Sequence, residues 1–328
     1  MKARRWIALG IGAFILVFSV ITSLSLAMNT YSQANWLAGA YDESVVIQEG
    51  DPSGSIALLE VNGAIINTTS DSLFSAEGYN HSNFMDLFYQ TMSSPNVEGI
   101  IIAVDSPGGG VLESAEIHDA VIEAQENYGK PVYISMGSMA ASGGYYLAAP
   151  AEQIFAYPQT LTGSIGVIMS SLNITELLDK IGVEETVYKS GPYKDMMSGT
   201  RPPTEEEDEI LQSIVDEYYD EFVEVIANGR GMDEESVREL GDGRIYTGRQ
   251  ALEAGLIDEL GSINDVIAAM QRDLGSNYQV IAIEPKQGLT SMFGLAAEKI
   301  FGKAEQKQGL MELTEYNQPR AMYLYDYE

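Results

Sequence analysis

One serine stands where a strand is expected to give way to a helix, which suits a nucleophile. Ser142 follows an apolar run predicted to be a strand (131–136), and it precedes a Gly-Gly pair and a helical run that ends at Pro150. Small residues at such a turn let backbone N–H groups approach an oxyanion, and a helix N-terminus adds partial positive charge. The sequence therefore predicts Ser142 as a nucleophile, provided that a base takes its proton.

The base is expected to be a lysine. The chain's two histidines, His81 and His118, both precede the serine, and we interpret them as a loop residue and a helix-face residue without a chemical role. A lysine acts as a base only when it is neutral, so desolvation has to lower the pKa of its amine. Lys194 lies in a turn flanked by Gly and Pro, with a tyrosine and two methionines as apolar cover. Spacing alone does not decide between this residue and the alternatives Lys180 and Lys189.

A glycine-rich turn, 105–110, follows a second predicted strand. Its sequence Asp-Ser-Pro-Gly-Gly-Gly lacks the Lys-Ser/Thr pair of a P-loop and does not match the G-x-G-x-x-G pattern of dinucleotide sites. This argues against nucleotide binding. Two interpretations remain, namely a tight strand-to-helix turn and a loop that donates a backbone N–H to an oxyanion.

Strands and helices alternate along the chain, which predicts an α/β domain with a largely parallel sheet. The predicted strands are 55–61, 97–104, 131–136, 153–156, 184–189 and 279–284. The predicted helices include 174–181, 204–229, 247–254 and 262–273. Thr204 and Glu207 have the spacing of a capping box at the start of the longest helix.

The N-terminus predicts a membrane anchor. Three basic residues precede an uncharged run of 22 residues, 6–27, which is long enough to span a bilayer as a helix. Basic residues before the span favour a single-pass protein of the cell membrane, with its N-terminus in the cytoplasm and its catalytic domain outside. The alternative is a cleaved signal peptide, for which Ser25-Leu26-Ala27 would be the processing site. We then expect a stalk at 28–54, the catalytic domain at 55–285 and an appendage with a tail at 286–328.

Composition excludes several kinds of site. The chain has a net charge of −30, and the part after residue 27 carries 15 basic and 48 acidic groups. Nucleic-acid binding is not expected, because it depends on clustered Lys and Arg. The acidity fits a domain that has to remain soluble outside the cell, and an acidic docking surface is the alternative. Since there is no cysteine, disulfides and thiolate chemistry are excluded. No metal or cofactor is expected, because a serine nucleophile with a lysine base requires neither.

Four segments in this order resemble the signal peptide peptidase A family of serine–lysine peptidases, which includes protease IV. The resemblance runs from about residue 56 to about residue 280 and is carried by Asp105-Ser106-Pro107-Gly108-Gly109-Gly110, 136–146, Thr162-Gly163-Ser164-Ile165-Gly166-Val167 and Lys189-Ser190-Gly191-Pro192-Tyr193-Lys194-Asp195. It implies a layered spiral fold like that of Clp protease subunits and crotonases. The single copy of these motifs resembles the short form of the family, and the resemblance also implies a homo-oligomeric ring.

The resemblance assigns a role to each site residue. Ser142 would be the nucleophile and Lys194 the general base, Gly109 and Gly143 would supply oxyanion N–H groups, and Ser164 would orient the lysine amine. The implied activity is hydrolysis of remnant signal peptides and other membrane-associated peptides through an acyl-enzyme. Ser138, which is close to Ser142 in sequence, is interpreted as a strand-end residue.

Two other functions remain open at this stage, and the tail adds a further hypothesis. A crotonase-like acyl-CoA enzyme would use the oxyanion groups without a serine nucleophile, and a membrane scaffold would need neither. The last eight residues, 321–328, are apolar and aromatic and resemble an extended peptide substrate. They are expected either to lie in the substrate groove, where they would block it or be trimmed, or to pack on the domain.

Overall fold

The structure, a computed structural model, describes residues 44–67, 79–283 and 321–324. The chain divides into two units after Ser44, and the residues described below belong to the second unit, Ser44 apart. Within the described ranges, no helix combines the length and the apolar character needed to cross a bilayer. The predicted anchor at 6–27 lies outside these ranges.

Strands and helices alternate through most of the described chain. The strands are β1 (Ser44–Gln48), β2 (Asp51–Asn62), β3 (Val97–Ser106), β4 (Gly108–Gly110), β5 (Val132–Ala141), β6 (Gln153–Ala156), β7 (Leu161–Gly163), β8 (Ile245–Thr247), β9 (Glu259–Leu260), β10 (Tyr278–Ile283) and β11 (Met322–Leu324). The helices are α1 (His81–Ser93), α2 (Val111–Glu126), α3 (Gly143–Tyr146), α4 (Thr175–Ile181), α5 (Glu205–Arg230), α6 (Glu234–Leu240), α7 (Gly248–Glu253) and α8 (Ile263–Asp273).

Nine of these strands form one sheet, in which the order β1-β10-β2-β3-β5-β6-β9 forms the main path and β7 joins β5 to β8. The pairs from β10 through β9 are parallel, as is β5 with β7, whereas β7 and β8 are antiparallel. The prediction of a mixed α/β fold with a largely parallel sheet is therefore confirmed. Parallel neighbours place the carboxyl ends of β3 and β5 at the same edge, which is where the glycine turn and Ser142 follow.

Both faces of the sheet are buried, as expected for parallel strands. Along β3, Ile101 faces a cluster that contains Val266 and Met270 of α8. Its neighbours Ile100 and Ile102 face the opposite, larger cluster, which is built on α1, α2, α3 and α5. This alternation explains why β3 has an almost continuous run of β-branched residues rather than a polar-apolar repeat.

The longest helix, α5, begins and ends as its sequence predicts. Thr204 accepts a hydrogen bond from the backbone of Glu207, whose carboxylate accepts one from the backbone of Thr204, so the capping box is formed. The helix ends at Gly231, which adopts a left-handed conformation with φ +62°. Its buried residues near the C-terminal half, among them Phe222 and Ile226, join the larger core cluster. The first turn of α5 is thus anchored to the core through the rest of the helix.

Three local predictions were wrong. The segment 184–189 is not a strand, and Tyr188 within it is 94% exposed. Its β-branched pattern favours extended backbone, but no neighbouring strand of the described chain pairs with it. His81 is not in a loop, since it begins α1 and is buried between Tyr79 and Glu116. Ser138 lies within β5 rather than at its end, because that strand continues to Ala141. The strand β1 also lies inside the stretch assigned by composition to a stalk.

Candidate active site

Ser142 sits on a sharp turn between β5 and α3. Its backbone has φ +53° and ψ −116°, which is a strained conformation for any residue other than glycine. The side chain is 1% exposed, and its Oγ has no hydrogen-bond partner among the described residues. The backbone N–H of Ser142 donates to the carbonyl of Gly163 at 2.7 Å. A strained strand-to-helix turn of this kind presents a serine hydroxyl at the end of a sheet, as in nucleophile elbows.

Side-chain hydrogen bonds hold the end of β5 that carries this turn. The register between β3 and β5 shifts there, so the regular ladder is interrupted. Asp105 accepts a hydrogen bond from the backbone N–H of Met139 at 3.0 Å, and Thr162 donates to the carbonyl of Ala140 at 2.6 Å. These contacts replace the missing ladder bonds and fix the approach of the chain to Ser142.

The glycine-rich turn places backbone amides beside the serine. Gly108 has φ +98°, and its N–H donates to the hydroxyl of Ser106 at 3.0 Å. A Cβ added to Gly108 would lie 2.6 Å from the backbone nitrogen of Gly143. A Cβ added to Gly143 would lie 3.1 Å from the backbone nitrogen of Gly109. Gly109 and Gly143 are therefore neighbours, in the place where oxyanion donors would be needed.

Ser164 also lies next to the serine turn. The parallel register of β5 and β7 pairs Ala141 with Gly163, so the residues that follow, Ser142 and Ser164, are opposite one another. Ser164 has φ +48° and is 8% exposed, and its N–H donates to the carbonyl of Arg244 at 2.8 Å. Four of the five predicted site residues thus converge at one edge of the sheet.

Lys194 is the predicted residue that the single chain does not bring into contact with Ser142. It lies in an irregular turn, its side chain is exposed, and its Nζ makes no hydrogen bond with any described residue. Its backbone N–H reaches the carbonyl of Gly191 at 3.4 Å, which is a weak bond. Lys180 is exposed on α4, and Lys189 is bonded to Asp195. Within the described ranges, none of the three candidate lysines forms a hydrogen bond with the serine hydroxyl.

The C-terminal strand β11 lies beside the serine. It pairs antiparallel with β4, with Tyr323 opposite Gly109, while Met322 forms a bridge to Ile168 on the other side. The carbonyl oxygen of Tyr323 lies 2.1 Å from the Cβ position of Gly108, so only glycine leaves room for it. This segment runs as an extended strand in a groove between the glycine turn and residue 168.

The side chain of Tyr323 fills a pocket. It is fully buried, with its ring stacked on Tyr146 at a centroid distance of 4.8 Å and tilted against Phe222 at 4.7 Å. Its hydroxyl donates to the backbone carbonyl of Tyr218 at 3.0 Å. Burial raises the pKa of this phenol well above its usual range, and nearby Glu221 adds to the effect. An aromatic side chain with a hydrogen-bonding tip is thus accommodated beside Ser142.

Sequence reasoning missed one buried hydroxyl below the glycine turn. Ser114, in the first turns of α2, donates to the carbonyl of Gly110 at 2.9 Å. Its Oγ lies 2.4 Å from the Cβ position of Gly143, so it also limits the residue at that site to glycine. The sequence signal was available, since a serine four residues after a helix start can bond back to the i−4 carbonyl.

Comparisons with known proteins agree with this geometry. Residues 124–277 match the sequence profile of peptidase family S49. The chain is 40% identical over 323 residues to the "Putative signal peptide peptidase SppA" of Enterococcus faecium, with 96% of this chain and 92% of that protein covered. It is 32% identical over 237 residues to "Protease 4" of Salmonella typhi, with 72% and 37% covered. It is 31% identical over 285 residues to "Serine protease SPPA, chloroplastic" of Arabidopsis thaliana, with 85% and 40% covered.

A similarity of this extent, together with a buried serine on a strained turn beside paired backbone amides, identifies the class of protein. The chain belongs to peptidase family S49 and is a protease.

Proposed function

We propose that this protein is a membrane-anchored serine endopeptidase in which Ser142 and Lys194 form the catalytic dyad. The observation that carries the proposal is the strained Ser142 turn, whose buried hydroxyl has no partner in the described ranges while a peptide strand lies in the groove beside it. An unpaired buried hydroxyl costs free energy, so its persistence favours a functional role. The anchor at 6–27, the domain limits at 55–285 and the spiral fold are part of the same proposal.

The chemistry requires one proton to move between the two side chains. The lysine amine takes the proton of Ser142 as Oγ forms a bond with the peptide carbonyl carbon. The resulting oxyanion lies beside the N–H groups of Gly109 and Gly143. Collapse of the tetrahedral intermediate breaks the C–N bond, and the leaving amine receives the proton from the lysine. The lysine amine, neutral again, then activates water, which hydrolyses the acyl-enzyme. Since the amine has to be neutral, we expect an alkaline optimum.

Substrates would bind as an added strand. This mode of binding is supported by β11, which pairs through its main chain with β4 and places one aromatic side chain in the pocket of Tyr146 and Phe222. Binding along a strand edge depends on backbone hydrogen bonds and on pockets for alternate side chains. An apolar pocket suits the hydrophobic segments of remnant signal peptides and other membrane-associated peptides. In this view the tail competes with substrates for the groove.

A neighbouring protomer would supply the lysine. Lys194 is exposed, and it follows a segment, 172–188, that carries a series of exposed apolar side chains (Leu172, Leu177, Ile181, Val183, Val187 and Tyr188). The helix within it, α4, has no buried residue. Exposed apolar side chains grouped in one segment are typical of an interaction surface. We therefore propose a homo-oligomeric ring in which this segment packs on the next protomer and brings its lysine to the Ser142 groove.

The test is a peptidase assay on the full chain in detergent, with an apolar fluorogenic peptide as substrate. Ser142→Ala and Lys194→Ala are expected to abolish hydrolysis without unfolding the protein. The controls Ser138→Ala and Arg249→Ala, both at exposed positions outside 172–188, are expected to retain it. Full activity in either of the first two variants would refute the dyad.

Mixed oligomers test where the lysine comes from. Ser142→Ala and Lys194→Ala chains, carrying different tags, are co-expressed and purified through both tags. If the two groups of one site belong to neighbouring protomers, some sites in the mixture contain both, and activity returns. If both groups belong to one chain, no mixed site is complete, and the mixture stays inactive. Labelling of Ser142 by an acylating probe further separates a peptidase from an acyl-CoA enzyme.

A further inference from the structure

The turn that carries Lys194 has little regular structure of its own. Residues 189–200 contain no helix or strand, and Met197 within them has φ +63°. The backbone bond at the lysine is long, with Lys194 to Gly191 at 3.4 Å, whereas Met196 to Tyr193 at 3.2 Å and Ser198 to Asp195 at 3.1 Å are ordinary. A base has to be held within a fraction of an ångström of its working position. Side-chain contacts are therefore needed in addition to these backbone bonds.

An ion-pair network holds the residue that follows Lys194. The carboxylate of Asp195, only 14% exposed, accepts two hydrogen bonds from Arg201, at 2.7 and 3.0 Å. It accepts a third from Lys189 at 2.6 Å, and its backbone carbonyl accepts a fourth from Arg201 at 3.2 Å. The bonds from Arg201 and Lys189 hold the pKa of this carboxyl far below its usual range. A bidentate Arg–carboxylate pair restricts orientation as well as distance.

The same arginine ties the turn to the core. Arg201 donates to both carboxylate oxygens of Glu207, at 2.8 and 2.5 Å. Glu207 has a side chain that is 2% exposed, and it also forms the capping box with Thr204 in the first turn of α5. Since α5 is buried in the core through Phe222 and its neighbours, the connection runs from the core through Glu207, Arg201 and Asp195 to Lys194.

The network also balances the charge of Asp195, the residue next to the lysine in sequence. A lone carboxylate beside an amine favours the charged ammonium, which cannot act as a base. Asp195 is paired with two cations, and the four groups Lys189, Asp195, Arg201 and Glu207 sum to zero net charge. Further acidic groups lie around the network. Asp179, Glu184 and Glu185 line a depression of about 290 Å³ with Asp195 and Arg201, and Asp208 lines an adjacent one.

We propose that Asp195 is the positioning residue of the lysine base: Arg201 and Lys189 fix it in place and cancel its charge, so that Lys194 is both oriented and able to lose its proton. This inference rests on the proposed role of Lys194 and adds three residues that act through it. None of the three needs to touch the substrate.

The test compares the pH dependence of kcat in variants that alter the network in opposite senses. Arg201→Met leaves the carboxylate less compensated, so the pH at half-maximal kcat should move about one unit towards alkaline values. Asp195→Asn removes the anion and leaves two cations, so the midpoint should move towards acid values. In both variants kcat should fall about tenfold or more, because the turn loses its clamp, while KM changes less than twofold.

Two controls keep the test specific. Arg201→Lys keeps the charge but not the bidentate fork, so it should retain the wild-type midpoint with an intermediate kcat. Arg238→Met, which removes an arginine paired with Asp220 and Glu234 far along the sequence, should change neither quantity. A loss of kcat with unshifted midpoints in both Arg201→Met and Asp195→Asn would overturn the inference, as would wild-type behaviour of both. Lys194→Ala is assayed alongside: its full activity would refute the dyad itself, whereas its inactivity beside unaffected network variants would refute only the positioning role.

Discussion

The backbone strain at Ser142 leads to a prediction about stability that does not depend on activity. A non-glycine residue at φ +53° and ψ −116° costs about 1–3 kcal/mol. Ser142→Gly relieves that strain but loses about 0.5–1 kcal/mol through the added freedom of the unfolded chain. Ser142→Ala retains the strain, and both variants remove the unpaired hydroxyl. Ser142→Gly should therefore be more stable than Ser142→Ala by about 1 kcal/mol, within a range of about 0–2.5 kcal/mol, although both are expected to be inactive.

The assay is urea unfolding of the full chain in detergent, followed by far-ultraviolet circular dichroism. Ser135 provides the matched control, because it is a buried serine on the same strand, β5, without positive φ. There the order should reverse, with the glycine variant less stable than the alanine variant by about 0.5–1 kcal/mol. If glycine is the less stable choice at both positions by the same margin, the turn stores no strain and the reasoning is refuted.

Three further predictions concern the groove and the network. Tyr323→Ala should lower the apparent KM for an added peptide by about tenfold at unchanged kcat, because the tail then competes poorly; an unchanged KM would contradict this. Gly143→Ala places a Cβ 2.4 Å from the buried hydroxyl of Ser114 and 3.1 Å from the nitrogen of Gly109, the proposed oxyanion donor, and kcat should fall about 100-fold while the far-ultraviolet spectrum stays the same. Hydrogen bonds from Arg201 hold the pKa of Glu207 at about 2, against an ordinary 4.5. This carboxylate therefore stabilises the fold above pH 4.5 and loses that effect as the pH falls towards about 2. The difference in Tm between wild type and Glu207→Gln should shrink across that window, and a constant difference would count against the pairing.

Elements whose signals are local were predictable from the sequence. The capping box at Thr204 and Glu207 placed the start of α5 correctly, because both partners lie within one turn. The β-branched run of β3 and its glycine-rich end located the edge of the sheet where the site lies. Ser142 followed from the strand-to-helix transition around it, whereas the role of Gly143 was implied by the family resemblance.

Features that depend on distant partners were not predictable. The extension of β5 to Ala141 rests on Asp105, which belongs to another strand. The segment 184–189 has the composition of a strand, yet the described chain offers it no partner. The 52-residue separation of Ser142 and Lys194 carries no information about their distance in space, and the exposed position of the lysine is visible only in the structure. The role of Arg201 was hidden for the same reason, since its partners lie six residues away on either side in a turn without a regular repeat.

In this groove, the pocket that receives a side chain is connected to the backbone of Ser142. Tyr146, which stacks on the tyrosine that occupies the pocket, donates its backbone N–H to the carbonyl of Ser142 at 2.8 Å. A substitution that reshapes this wall therefore acts directly on the Ser142 turn. The opposite wall, formed by Phe222 and the carbonyl of Tyr218, belongs to α5 and meets the serine turn through Tyr146, whose ring lies 5.0 Å from that of Phe222 and whose hydroxyl donates to Glu221. A change on the α5 side thus reaches Ser142 through one further residue, whereas Tyr146 both lines the pocket and bonds the backbone of Ser142.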